Sequence, residues 1–258
     1  MKKTIPCLLL ACFISIGRAQ STYTLPTTAA DAFLCGNLPS TNFGTAGTLA
    51  IAPASSPKGE FDSVLMFNTA AAVSQFNSAF GVGDWTITGL TLSLASNFGT
   101  NGAKPTSSLF NTVSGGNFGI YWLANDSWVA GNGAGNGKPG YPNNDLVTFD
   151  SISSLLAGGY DSLGTNTYTP PGNNTYASYA LPLDPNLLAN AAAGTNLSMY
   201  FYAADNQVSY LFNSGEYNSG NHPELTLTVV ATPEPATFAL LALALGGCLI
   251  CRKHAIRK

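Results

Sequence analysis

The chain has 258 residues, of which 45% are apolar and only 9% are charged, with a formal net charge of −3. Seven of its ten Lys and Arg residues lie in the first eighteen and last seven positions, which leaves Lys58, Lys104 and Lys138 against twelve Asp and Glu over residues 20–232, a balance of −9. That balance excludes a basic patch for phosphate backbones and with it nucleic-acid binding, and a lone Cys35 in this region excludes an internal disulfide framework.

In chain order, Met1-Lys2-Lys3 is a basic start, Ile5–Ile16 an apolar run, and Gly17 and Ala19 place small residues where a signal peptidase reads. Residues 1–19 are therefore expected to be a secretory signal peptide, an apolar helix cut between Ala19 and Gln20. A rival reading takes Leu9-Leu10-Ala11-Cys12 as a lipobox with Cys12 acylated.

From there to Thr232 the sequence is poor in helix formers and rich in Thr, Tyr, Phe, Asn and Gly, the usage of strands joined by turns. Asp31–Leu34 reads as an opening strand, 37–47 as a loop, Thr48–Ala52 as a half-buried strand and Ser63–Phe67 as a buried one. Over Ala70–Phe80 the period changes: Val73, Phe76 and Phe80 fall on one face of a short helix that ends at Gly81. Trp85–Leu94 is a strand whose apolar parity slips, Trp85 and Ile87 against Leu90, Leu92 and Leu94. A bulge at Gly89 would return all five to one face.

Phe118–Leu123 is another strand, and Gly131–Gly140 a loop that fails as a phosphate cradle because Asn132 and Pro139 stand at required Gly and Ser/Thr positions. Phe149–Leu156 reads as a helical turn and 160–179 as a long polar connection. Asp184 and Pro185 are an N-cap and first residue for a helix running to Gly194. Asn196–Ala203 and Gln207–Phe212 are two strands joined at 204–206, and Leu225–Val229 closes the domain. The expected fold of residues 20–232 is all-β, an antiparallel two-sheet sandwich of jelly-roll type with two or three short helices.

Chemistry is sparse. His222 is the only imidazole between the two ends and no G-x-S-x-G elbow accompanies it, so nucleophilic hydrolysis lacks its base. One His and one Cys fall short of a zinc site. No cofactor is expected; Asn143-Asn144-Asp145 and Asp205-Asn206 are the candidate ligands for a structural calcium, and ordinary turns explain both. Twelve carboxylates leave a glycosidase or lyase as a distant third reading. The better lead is aromatic: Trp128, Tyr141, Tyr168 and Tyr176 sit on predicted loops or strand ends and are candidate stacking platforms for a glycan, although Trp128 also suits a core position.

The last 26 residues are a Pro233-Glu234-Pro235 box, an apolar segment 236–251 and a basic tail 252–258 carrying Arg252, Lys253, Arg257 and Lys258. Sixteen apolar residues span about 24 Å as a helix, enough to cross a ~30 Å hydrocarbon core with snorkelling basic ends, and the tail fixes that end as cytoplasmic. Cys248 and Cys251, a C-x-x-C inside this run, read as buried apolar cysteines. The layout resembles the PEP-CTERM sorting signal of bacterial exported proteins. The resemblance implies a membrane-embedded exosortase that cuts near the box and leaves the protein released or attached at the cell surface. His254, Ala255 and Ile256 dilute the basic run relative to that pattern.

A second resemblance covers the middle. The stretch Asn42–Leu49, the strand Ser63–Phe67, the segment Asp126–Val129 and the stretch His222–Leu227 are similar to DNRLRE-type and carbohydrate-binding-module jelly rolls. In that pattern an acidic residue usually follows the Trp128 segment, where this chain has Ala130. The resulting expectation is an exported, exosortase-processed surface or extracellular-matrix protein. Its sandwich is non-catalytic, structural or adhesive, and the alternative is a module recognising an exopolysaccharide. The inner membrane, signal peptidase and exosortase are the expected partners.

Overall fold

The structure is a computed structural model that describes residues 19–97, 110, 116–133, 146–168, 172–218 and 220–232. The segments 1–18 and 233–258, with the predicted signal and sorting elements other than Ala19 and Gln20, lie outside the described residues, as does Tyr141.

The described chain runs β1 (Gln20–Leu25), β2 (Ala30–Cys35), β3 (Thr48–Ile51), β4 (Phe61–Asn68), α1 (Ala70–Phe80), β5 (Trp85–Ala95) and β6 (Asn117–Leu123). A 3-10 turn (Phe149–Ser151) leads into α2 (Ile152–Ala157), followed by β7 (Tyr160–Thr167), β8 (Tyr176–Leu181), α3 (Pro185–Ala192), β9 (Asn196–Ala203), β10 (Tyr210–Asn213) and β11 (Glu224–Ala231). The strands form a four-stranded sheet, order β1-β11-β5-β8, a five-stranded sheet, order β2-β4-β9-β6-β7, and a two-stranded ribbon of β10 and β3. Every ladder between these strands is antiparallel, and the pairs are nested: β6 with β7, β5 with β8, β4 with β9, β1 with β11.

One core joins the layers. Ile87, Leu90, Leu92, Leu225, Leu227 and Val229 from the smaller sheet meet Leu65, Phe67, Phe118, Ile120, Met199 and Phe201 from the larger one. Along β11 burial alternates between intermediate and buried, as it must where one face of a strand meets a core and the other meets water. Strand β4 is buried on both faces, because a second apolar layer covers the outside of the five-stranded sheet.

The parity slip in β5 is resolved as the sequence requires. Gly89 pairs with Thr228 and Ile87 with Val229, so Thr88 is the extra residue of a β-bulge. The extra residue turns Ile87 back onto the face of Leu90, Leu92 and Leu94, and all four are buried. Helix α1 buries Ala72 and Phe76 and ends at Gly81, φ 99°. Helix α3 begins as predicted: Asp184 Oδ1 accepts from the N–H groups of Asn186 (2.9 Å) and Leu187 (3.0 Å), and Pro185 occupies the first turn.

Two expectations are corrected, and one strand takes a partner that the sequence did not assign. The stretch 160–179 is not one connection but holds β7 and β8; its alternation is masked in sequence because β7 lies at a sheet edge and buries only Leu163. Strand β1 precedes the predicted opening strand and begins at Gln20, directly after the predicted cleavage point, with Gln20 opposite Val230. Strand β10 follows β9 in sequence but pairs with β3, since its Tyr210 and Phe212 turn into the core beside Leu49 and Ile51.

Candidate functional site

The outer face of the five-stranded sheet is covered over only part of its width. Its alternating positions present Ala32 and Leu34 on β2, Val64 and Met66 on β4, Tyr200 and Tyr202 on β9, and Tyr121 and Leu123 on β6. Trp128, Val147 and Leu155 pack over this face and form a separate apolar layer with Ala32, Leu34, Val64, Met66, Leu123 and Tyr200. This cover is pinned by Asn42, fully buried, which donates through Nδ2 to the carbonyls of Ala130 (2.6 Å) and Val147 (2.8 Å). Its Oδ1 accepts from Gly44 (3.2 Å) and Gly133 (3.0 Å). Gly44 and Gly133 have no room for a Cβ, because the backbones of residues 42–44 and 130–133 lie directly against each other.

Beyond the cover the face carries tyrosines. Tyr121 stands between Tyr160 and Tyr202, with ring centroids 4.7 Å away on each side, and stacks at 28° on Tyr202. Tyr160 is 49% exposed, and Tyr121 and Tyr202 are half-buried. The Tyr202 ring lies on Gly119 of the neighbouring strand, its cross-strand partner, where any Cβ would run into it. The Tyr202 phenol is pushed up to about 12 by desolvation, by its hydrogen bond with Tyr121 and by the charge Tyr121 would carry. The Tyr202 phenol therefore stays neutral and bonded to Tyr121 across the physiological range.

A third ring, Tyr200, backs this row 6.2 Å from Tyr121 and donates its hydroxyl to Asp62 Oδ2 at 2.5 Å. Asp62 is 2% exposed and its Oδ1 has no partner. Burial pushes its carboxyl up to about 7; the Tyr200 bond opposes the shift and Glu60 adds to it. Behind the rings, burial thus holds this carboxyl toward its uncharged form.

The sequence-predicted glycan contacts fare differently. Trp128 is 8% exposed, its Nε1 donating to Ser198 Oγ at 3.0 Å, and Tyr168 is fully buried, hydrogen-bonded to Ser96 and packed on Tyr210 and Phe212. Neither ring reaches solvent, so both are corrected to core residues. Each lies beside a strand end, where a loop folds its aromatic back over apolar neighbours. Tyr176 is half-buried, its hydroxyl 2.8 Å from Glu224 Oε1 and 2.9 Å from the His222 carbonyl, and it stands on a strand of the other sheet.

The rings that do form a surface, Tyr121, Tyr160 and Tyr202, sit on strands. Their signal in sequence was the i, i+2 spacing of Tyr200 and Tyr202 along β9, opposite in parity to Met199 and Phe201. Among the described residues no group of three or more His, Cys, Asp or Glu is placed to hold a metal ion. Asp205 caps a turn: partial burial pushes its carboxyl up, but the N–H groups of Gln207, Asn117 and Val208 outweigh this and hold it below its usual range. His222 places Nδ1 3.1 Å from the Ser214 carbonyl. Among the described residues no helix is long and apolar enough to cross a membrane; the apolar segment 236–251 lies outside them.

Fold and face together describe an antiparallel β-sandwich with a tyrosine-bearing sheet surface. No family model matches the chain, and no curated protein does. Among solved structures it is similar to the K1 cleaved adhesin domain of Lys-gingipain from Porphyromonas gingivalis, at 12% identity over 83% of this chain and 99% of that chain, with a TM-score of 0.27. A likeness at that level bears on neither fold nor function.

Proposed function

We propose that the chain is an exported, non-catalytic adhesive protein of the cell surface or extracellular matrix, and that its sandwich holds exopolysaccharide on the Tyr121–Tyr160–Tyr202 face. The observation that carries this reading is the row of three closely packed, partly exposed rings on the sheet, Tyr121 stacked on Tyr202 and tilted against Tyr160. Pyranose rings present C–H-rich faces that bury apolar area against flat aromatic surfaces, while neighbouring hydroxyls stay in water. A sheet positions such rings more firmly than loops do. The nested strand pairs, split as β1-β11-β5-β8 and β4-β9-β6-β7, are read as a jelly roll extended by β2 and by the β3–β10 ribbon.

Delivery follows from the two ends. The signal peptide sends the chain through the inner membrane, and signal peptidase cuts before Gln20. The segment 236–251 then holds a single-pass precursor with its tail in the cytoplasm until an exosortase acts at Pro233-Glu234-Pro235. In the cut chain the new N-terminal residue, Gln20, stands opposite Val230 and so begins within the sheet.

Binding of the protein to polysaccharides of its own matrix, measured by affinity electrophoresis, tests the reading. Tyr121→Ala and Tyr160→Ala are expected to weaken retention at least tenfold, and Tyr176→Ala to leave it unchanged. Retention by every glycan tried that is indifferent to Tyr121 and Tyr160 would sink the proposal.

A further inference from the structure

The four-stranded sheet ends, at one pole, in an apolar cleft of about 530 Å³ between α1 and α3, lined by Val73, Trp85, Ile87, Leu188 and Ala192 among others. Trp85 is half-buried; its Nε1 donates to Asn77 Oδ1 at 2.9 Å and its ring lies 5.3 Å from Phe76. At the rim Val82 is 84% exposed, between Gly81 (φ 99°) and Gly83 (φ 81°). Those two left-handed glycines make the tight turn that pushes Val82 outward. Leu183, 48% exposed, follows β8 toward the same end. Neither helix carries a charged side chain, and Asp84 is the only charged residue from 81 to 95.

The chain leaves the domain at this pole. Ala231 pairs with Trp85, the Thr232 N–H donates to the Asp84 carbonyl at 2.8 Å, and the Ala231 N–H donates to the Ala19 carbonyl at 2.9 Å. Only Pro233, Glu234 and Pro235 separate Thr232 from the apolar segment 236–251. Three residues reach roughly 11 Å at most. The headgroup layer, the difference between a ~30 Å core and a ~40–45 Å bilayer, is about 5–8 Å deep on each side. A domain tethered so closely holds its exit pole against the lipid.

We infer that the Val82–Trp85 rim and the cleft behind it form a membrane-contact surface that seats the anchored precursor, pole down, in the interface of a zwitterionic bilayer. The inference rests on reading 236–251 as the membrane anchor. An aromatic ring with its N–H satisfied and an exposed valine suit the headgroup boundary, where apolar bodies meet polar surroundings. The occupant is a neutral interface rather than an anionic one, because no Lys or Arg lies in α1, α3 or the 81–95 segment to attract acidic headgroups.

The chain from Gln20 to Lys258, as signal peptidase would leave it, with Cys248 and Cys251 replaced by Ala and buried Cys35 retained, is reconstituted into phosphatidylcholine vesicles. A nitroxide is placed at Val82→Cys, or at Thr175→Cys as reference. Thr175 adjoins the opposite end of β5, where Ala95 pairs with Tyr176. Accessibility to membrane-dissolved oxygen relative to a water-soluble nickel chelate is read by electron paramagnetic resonance. The ratio is expected to be at least fivefold higher at position 82 than at 175, and unchanged when a third of the lipid is anionic. Equal ratios in protein that sediments with the vesicles would overturn the inference and leave the anchor standing. Protein that does not sediment with them would overturn the anchor and the inference together.

Discussion

Asp62 and Tyr200 form a hydrogen-bonded pair inside the outer apolar layer, 2.5 Å from hydroxyl to Oδ2, while Asp62 Oδ1 has no partner. A carboxylate with one bare oxygen in such a layer is costly when charged, so the fold favours its protonated form. Asp31, 1% exposed, is also held toward its protonated form. Burial and the nearby Glu216 carboxylate push it up to about 7, against the bonds it accepts from Thr28 and the Gly215 N–H.

Stability is expected to peak in mild acid. For Asp31 and Asp62 the folded value, about 7, lies above the unfolded 3.8, so their contribution is complete below about pH 4 and is lost as pH rises through 7. Asp205 runs the other way: its lowered carboxyl stabilises above about pH 4 and ceases to do so below. The melting temperature should fall by several degrees between pH 5 and 8. Asp62→Asn, which keeps an acceptor for Tyr200, should remove roughly half of that slope. A melting temperature that is flat or rising over this range in the unsubstituted protein would contradict the assignment.

The bulge in β5 makes a sharp deletion experiment. Removing Thr88 forces either Trp85 and Ile87 or the three leucines beyond Gly89 onto the solvent side. Exposing even the shorter pair costs about 1.5–3 kcal/mol per side chain. The Thr88 deletion should therefore lose at least about 3 kcal/mol in urea denaturation, while Thr88→Ala, exposed and outside the core, stays within about 0.5 kcal/mol.

Asn42 ties two segments to the face with four hydrogen bonds, all from one buried amide. Asn42→Ala strands the carbonyls of Ala130 and Val147 and two N–H groups in a closed space, at a cost on the order of 2–4 kcal/mol. Asn42→Asp keeps the acceptors but loses both donors and should be nearly as harmful. Amide exchange of Gly44 and Gly133 should rise at least tenfold in either variant, with little change for β11.

Much of this architecture was legible in sequence where one physical demand acted alone. The slipped parity of β5 forced a bulge, Asp184-Pro185 could hardly be anything but a helix start, and Val73, Phe76 and Phe80 declared a helix face. What escaped depended on partners far along the chain. Strand β7 buries one residue, so its pattern is silent until β6 pairs with it; β10 joins β3 across some 160 residues rather than its neighbour β9. The candidate site was misplaced for a related reason. Loop aromatics look exposed in sequence, yet Trp128 and Tyr168 fold back into apolar layers, while the strand residues Tyr121, Tyr160 and Tyr202, which look like core, are left only partly covered or exposed.

Gly119 gives the most direct test of the tyrosine row. The Tyr202 ring rests on its backbone, and no Cβ fits beneath it. Gly119→Ala should lift the ring, part the Tyr121–Tyr202 stack and spare the inner face, since Phe118 and Ile120 point to the other side. The stability cost of such overpacking is about 1–3 kcal/mol, small enough to leave the sandwich folded. Loss of the shared Tyr121–Tyr202 hydrogen bond should also return the Tyr202 phenol from about 12 toward 10, visible in an ultraviolet titration. If the row holds polysaccharide, Gly119→Ala weakens retention as much as Tyr202→Ala does. A variant with the shifted phenol and undiminished retention would move the binding surface elsewhere on the domain.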